Sequence, residues 1–337
     1  MRRFEANGTP RVVAFACARD ADRRIAGVAA AARVIYDLEQ AGITEAWLTL
    51  GPDAVLAPAT LKDVDRLRGA MQVTVAHPDE APADMAATPA PAMSAMAILR
   101  TTVKPSDGIV SRHLNRPISQ RISWVALAIP GARPIHATIA SAVFAIILFW
   151  GMLAGGKLGL ILGAMLFQAA SVIDGVDGEM ARATFRATDV GKTLDSAIDM
   201  ATNLLFLLGL TLHLGRHGGA FILWTGLWAV GVVTLGASLI AWRVQSGGGP
   251  LSFDLLKPRR SRPAGLVRAV IRFFTFITSR DFFAFAFMIL IIAGLAWTAL
   301  CIFAAVATGW IVFVLGSLLA GAGESDKGDE MGCRDTG

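Results

Sequence analysis

Two patterns of apolar residues divide the chain. Up to about residue 77, short apolar runs alternate with amphipathic stretches. RVVAFACA at 11–18, EAWLTL at 45–50 and QVTVA at 72–76 read as strands, while 27–41 and 61–68 carry helical spacing. Strands and helices alternating at this length predict a small α/β unit with a parallel sheet over residues 1–80. From residue 134 the apolar runs become long enough for a bilayer: 135–153, 158–173, 201–214, 220–242, 282–293 and 297–319. The second and third lengthen into the polar stretch between them. The run after Asp281 is too long for one crossing at about 1.5 Å per residue, and Gly294 offers a break. The expected fold is therefore an all-α polytopic membrane domain of six transmembrane helices, at 134–321, behind the small α/β domain. Residues 81–97, rich in Pro, Ala and Met, read as a linker, and 322–337 as a polar, disordered tail. In 98–133, Arg112, Arg116 and Arg121 interleave with Ile109, Leu114, Ile118, Ile122, Trp124 and Val125, the pattern of an amphipathic helix lying at a membrane surface.

Composition agrees with a membrane protein: the 337 residues are 54% hydrophobic, with a mean hydropathy of +0.56. The net charge of +5 does not indicate nucleic acid, because the basic residues lack aromatic interleaving and gather in loops beside apolar spans. Arg243, Lys257, Arg259, Arg260, Arg262, Arg268, Arg272 and Arg280 are opposed in that stretch only by Asp254, which puts their loop on the cytoplasmic side of the inner (cell) membrane. The polar stretch between the second and third spans lies on the same side. Cys17, Cys301 and Cys333 stand far apart and form neither a disulfide framework nor a zinc pattern. The apolar run after Arg2 and Arg3 is short and broken by Arg19 and Asp20, so no cleaved signal peptide is expected.

The polar stretch between those two spans carries the chemistry. It contains Asp174, Asp177, Gly178, Ala181, Arg182, Gly191, Asp195 and Asp199. An aspartate near a bilayer centre costs roughly 2.5 to 3.5 kcal/mol on insertion scales, so several together need partners or a bound cation. At about 100° per residue, the first five fall within a sector of roughly 140° on one helix, and Gly191, Asp195 and Asp199 within about 80° on the next. Two helices thus present four carboxylates to one cleft. With no His or Cys nearby, the set is all oxygen and selects Mg2+, Mn2+ or Ca2+ over zinc. Gly178, Ala181 and Gly191 lack bulk, which permits close helix packing or close approach of a ligand.

The same eight residues spell D-x2-D-G-x2-A-R-x8-G-x3-D-x3-D, without departure in residue or spacing. By this signature the chain resembles the CDP-alcohol phosphotransferase family, and a chance match is on the order of 10⁻¹⁰ per starting position. The resemblance implies an enzyme that passes a substituted phosphate group from a CDP-alcohol to an acceptor hydroxyl and releases CMP. It implies two divalent cations on Asp174, Asp177 and Asp195, with Asp199 at the same site as general base. Gly178, Ala181, Arg182 and Gly191 would line the nucleotide and diphosphate. The expected partners are the CDP-alcohol donor, a lipid or inositol-type acceptor, membrane lipids and a second copy in a homodimer. Phospholipid biosynthesis is one outcome; a di-inositol-phosphate-type synthase using CDP-inositol is another. A divalent-metal transporter is the reading from a different class, though it would not need Gly178, Ala181 and Arg182 at these spacings.

Two further stretches resemble parts of the same family. Lys104, Asp107, Gly108, Asn115 and Arg116 are similar to the juxtamembrane region of its inositol-phosphate-type members, which makes Lys104, Arg112, Asn115 and Arg116 candidate acceptor contacts. AGVAAAARVIYDLEQAGITEAWLTL resembles the first half of the sugar-nucleotidyltransferase domain that some members carry ahead of the membrane domain. A triphosphate site needs a glycine-rich turn after its first strand, yet the turn here, CARDADRRIAG, has no glycine before Gly27. The expectation is a degenerate, truncated remnant with a scaffolding or regulatory role. Many members open their first span with P-N-x2-T; here it reads Pro134, Ile135, His136, Ala137, Thr138, without the asparagine.

Overall fold

In the computed structural model, the described residues are 10–51, 55–82, 85, 87–104, 107–246 and 280–332. Along them run β1 (Arg11–Ala14), α1 (Ala18–Asp22), β2 (Arg24–Ile25), β3 (Val28–Ala29), α2 (Ala30–Gln40), β4 (Glu45–Thr49), α3 (Pro58–Leu67), β5 (Gln72–Ala76) and β6 (Ala87–Pro89). The helical part follows as α4 (Ala95–Thr101), a π-helical turn (Ser111–Asn115), α5 (Arg116–Ala128), α6 (Pro134–Ala154), α7 (Gly156–Ala183), α8 (Asp189–Gly218), α9 (Ala220–Ser246), α10 (Arg280–Ile292) and α11 (Ala296–Gly332). The chain divides into two units. One, the α/β unit, comprises residues 1–102, 120–132 and 179–186; the other, the helical unit, comprises 103–119, 133–178 and 187–337.

The α/β unit is built on a four-stranded parallel sheet in the order β5-β4-β1-β6. Its centre is β1, where Val12 and Val13 are buried and Arg11 to Ala14 pair in register with Ala46 to Thr49 of β4. A parallel neighbour requires a crossover, and α2 supplies it with small and branched residues: Ala30, Ala31, Ala32, Val34, Ile35 and Leu38 are all buried against the sheet. The helix expected from residue 27 starts at Ala30, because a two-stranded hairpin intervenes. Ala26 and Gly27 take φ of 46° and 82° at its tip, the geometry of a tight primed turn. A side chain at Gly27 would meet Leu127 and Thr184, so the hairpin backbone sits directly on both. Strand β6 falls within the stretch read as linker; its Ala-Pro composition hides a strand that, among the described residues, pairs with β1 alone.

At the carboxyl ends of β1 and β4 lies a cavity of about 410 Å³, lined by Ala14, Phe15, Ala16, Thr49, Gly51 and neighbours. None of its lining residues among the described ones is charged. That position is where open α/β sheets bind ligands, but its described walls offer no cation to a triphosphate.

In the helical unit, four helices among the described residues are long and apolar enough to cross a membrane: Pro134–Ala154, Gly156–Ala183, Asp189–Gly218 and Ala220–Trp242. The chain is accordingly a membrane protein by length and composition of its helices. The fifth expected run falls in α10, whose 13 described residues begin directly after the stretch outside the described residues. The sixth is a short apolar stretch, Ala296–Val312, within α11, and α11 itself runs through Gly332 into the stretch read as a tail. Gly294, with φ of 78°, makes the expected break between α10 and α11. Lys257, Arg259, Arg260, Arg262, Arg268 and Arg272 lie outside the described residues.

The core of this unit is aromatic. Phe167 of α7 stacks on Phe206 of α8 with centroids 4.0 Å apart, and Phe287 of α10 meets Phe206 edge-on at 5.2 Å. The last carbonyls of α6 are also satisfied by α8: buried His213 bonds the Met152 carbonyl at 2.8 Å, and Arg216 donates to that of Leu153 at 2.9 Å. These contacts fix α7, α8 and α10, the three helices that carry the acidic residues.

Candidate active site

The structure brings Asp174 of α7 together with Asp195 and Asp199 of α8, with one carboxylate oxygen of each within 4.8 Å of the others. Asp195 and Asp199 are one turn apart and therefore on the same face. Asp177 lies one turn after Asp174 on α7. It is only 6% exposed, and it accepts a hydrogen bond from Thr138 Oγ1 of α6 at 2.8 Å. Thr138 closes the P-x3-T element in which the asparagine is missing, so the hydroxyl of that element is retained and in use.

A cation that sequence reasoning counted as loop charge completes the cluster. Arg280, the first residue of α10, places Nη1 3.2 Å from Asp174 Oδ1 and hydrogen-bonds Asp199 Oδ1 with the same nitrogen. Its Nε and Nη2 are buried and have no partner among the described residues. Two of the donors of a rigid, planar fork are thus free beside three carboxylates, where they suit an anionic oxygen. The signal available in sequence was the Arg280-Asp281 pair directly ahead of an apolar run.

Asp281 anchors that end of α10. Its Oδ1 accepts from Ser171 Oγ at 2.7 Å and from Asn115 Nδ2 at 3.0 Å, while Asn115 Oδ1 accepts from Gln168 Nε2 at 2.8 Å. Asn115, a candidate acceptor contact, is therefore 3% exposed and fully engaged in joining the π-helical turn to α7 and α10. Arg116 makes a bidentate pair with Asp107, at 2.8 and 3.0 Å, and reaches the Gly175 carbonyl at 3.4 Å. A Cβ on Gly175 would come 3.0 Å from that guanidinium, so the glycine next to Asp174 makes room for it. Lys104 and Arg112 are exposed; Lys104 bears electrostatically on Asp174.

Gly191 is placed by a helix cap. Thr188 Oγ1 accepts from the Gly191 N–H at 3.1 Å, which closes the first turn of α8. A Cβ on Gly191 would stand 3.0 Å from that oxygen. Ala181 and Arg182 fall in the share of α7 that belongs to the α/β unit. There Arg182 Nε donates to the Thr102 carbonyl at 2.9 Å, and Glu179, fully buried, accepts from Ser123 Oγ at 2.6 Å.

The donor set fits a divalent metal. Three carboxylates that converge within one coordination sphere, with no soft ligand among them, offer the hard oxygen environment that such cations take.

Comparison with known proteins agrees with this chemistry. The profile of the CDP-alcohol phosphatidyltransferase family matches residues 133–311. A protein named bifunctional IPC transferase and DIPP synthase from Rubrobacter xylanophilus is 30% identical over 249 residues, covering 73% of this chain and 50% of that protein. The protein of the same name from Thermococcus kodakarensis is 39% identical over 111 residues, 33% of this chain and 24% of its own length. An archaetidylinositol phosphate synthase from Methanothermobacter thermautotrophicus is 41% identical over 71 residues, 21% of this chain and 34% of that protein. The chain thus spans half or less of the length of each relative it matches.

Proposed function

The chain belongs to the CDP-alcohol phosphatidyltransferase family, and from that premise we propose that it transfers a substituted phosphate from a CDP-alcohol to a hydroxyl of a phosphate-bearing acceptor of the inositol phosphate class. The observation that carries the acceptor class is Arg280, whose Nε and Nη2 are buried beside the carboxylates with no partner among the described residues. A phosphate is the ligand such a fork matches. The resemblance of Lys104 and its neighbours to inositol-phosphate-type members supports the same class.

Asp174, Asp177 and Asp195, with Asp199 at the edge, would hold two divalent cations, Mg2+ or Mn2+, which when bound neutralise the donor's diphosphate. Asp199 takes the proton from the acceptor hydroxyl. The oxygen then bonds to the phosphorus distal to cytidine, the bond from that phosphorus to the bridging oxygen breaks, and CMP leaves with the electron pair. Arg280 holds the acceptor's phosphate, and Gly178, Ala181, Arg182 and Gly191 keep the nucleotide and diphosphate role that the family signature implies for them. The excess of Lys and Arg at 243–280 in the sequence supports a cytoplasmic face for this chemistry.

A lipid donor of the CDP-diacylglycerol kind is the first reading, supported by the long apolar helices that carry the carboxylates. The similarity over 249 residues to the Rubrobacter protein favours CDP-inositol as a second. The test supplies purified protein with inositol phosphate and either donor. CMP release dependent on Mg2+ or Mn2+ is expected with one of them, and full turnover after exhaustive chelation would remove the metal from the scheme.

A further inference from the structure

The α/β unit includes residues 179–186, the end of α7 and the turn after it. That turn is a helix-ending motif of known form. The Arg186 N–H returns to the Ala181 carbonyl at 2.8 Å and the Phe185 N–H to that of Arg182 at 3.3 Å, with Phe185 at φ of 55° between them. Glycine is the usual residue at this position, because a Cβ is crowded in the left-handed region. A phenylalanine there persists only where its surroundings over-determine it.

Those surroundings come from α2 and α3. The Phe185 ring lies 3.9 Å from that of Tyr36, with the Arg33 guanidinium 5.3 Å from its centroid. Arg33 Nη2 donates to the Ala183 carbonyl at 2.6 Å. Arg66 Nη1 lies 3.3 Å from the carbonyls of both Thr184 and Phe185, and Asp63 steadies Arg66 through an ion pair at 3.3 Å. Three successive carbonyls at the end of a helix, which have no intrahelical partner, are thus received by two arginines of the α/β unit.

We propose that the α/β unit is a capping receptacle for the end of α7, with Phe185 as its plug and Arg33 and Arg66 as its clasp, and that it positions Ala181 and Arg182 without using a nucleotide. This gives the unit a task that needs neither a glycine-rich loop nor a charged cavity. Phe185 and Arg66 are positioning residues, since they touch neither the carboxylate cluster nor any reacting atom.

The test is amide exchange on the full-length protein in detergent, read separately over 183–188 and over β1 and β4. Phe185→Gly removes the ring while relieving the backbone, and Arg66→Ala removes half the clasp. Both should speed exchange over 183–188 by about tenfold or more and leave β1 and β4 protected, while Phe185→Tyr should exchange like the wild type. A Phe185→Gly turn as slow to exchange as the wild type would show that the ring is no plug and overturn the proposal. Loss of protection across β1 and β4 would overturn it as well, since Phe185 would then be a core residue of the unit. A second readout rests on the proposed transfer reaction: both variants should raise the donor KM more than they lower kcat, through Arg182. Absence of any transfer by the wild type would count against that reaction and leave the exchange result to decide the cap.

Discussion

Asp199 and Arg280 are the residues on which the proposed chemistry turns, and they share one hydrogen bond. Asp199→Asn keeps the shape but cannot accept the acceptor's proton, and a positioned base contributes about 10² to 10⁴ in rate. Single-turnover transfer should fall by that order while CDP-alcohol binding changes little, because Arg280 still faces Asp174 at 3.2 Å. Collapse of binding together with turnover would make Asp199 an indispensable metal ligand instead. For Arg280→Gln, loss of the fork should raise the KM for inositol phosphate roughly 10- to 100-fold, the range for a hydrogen bond to a charged group, with the donor KM unchanged. Equal loss with inositol phosphate and with unphosphorylated inositol would confine Arg280 to balancing the carboxylates. The four aspartates were legible because eight residues at fixed spacing are a strong signal. Arg280 was not: it stands 81 residues from Asp199 in sequence, and only folding brings a distant cation to a cluster of like charges.

At the scale of elements, the helices were legible and their ends were not. Hydropathy located the long apolar runs, and α7 and α8 lengthen into the polar stretch as expected, but the residue at which α8 opens, Asp189, was not marked by hydropathy. A side-chain cap makes that extension possible. Thr188→Ala should remove it, and a lost cap of about 0.5 to 2 kcal/mol corresponds to roughly 2- to 30-fold faster amide exchange in the first turn of α8. Unchanged exchange at 189–192 would mean that neighbouring helices alone hold that turn. Strand β6 escaped notice for the opposite reason: three residues, one of them proline, leave no periodicity to read. The π-helical turn at Ser111–Asn115 was likewise invisible, since its purpose, turning Asn115 inward to Ser171 and Asp281, depends on partners far along the chain.

For the whole molecule, sequence conveyed a small α/β unit followed by membrane helices, and a front end without the loop that a triphosphate requires. Incubated with CTP and inositol phosphate or other sugar phosphates, the full-length protein should release no pyrophosphate above background; release would restore a synthetic role to the cavity beside Gly51. A fragment ending near Pro82 is a poor substitute, since it lacks β6 and two of the three segments that make up the unit. That discontinuity also bears on biosynthesis. Arg33 must wait for Ala183, 150 residues later in the chain, and at 5–20 residues per second the ribosome needs roughly 8 to 30 s to reach it. During that interval two apolar helices are made, while Arg33 can already bond the carbonyls of Ile25 and Ala26 but not that of Ala183. A nascent chain stalled before residue 183 should therefore be more protease-sensitive around α2 than the finished chain, and equal resistance would show that the α/β unit closes without residues 179–186.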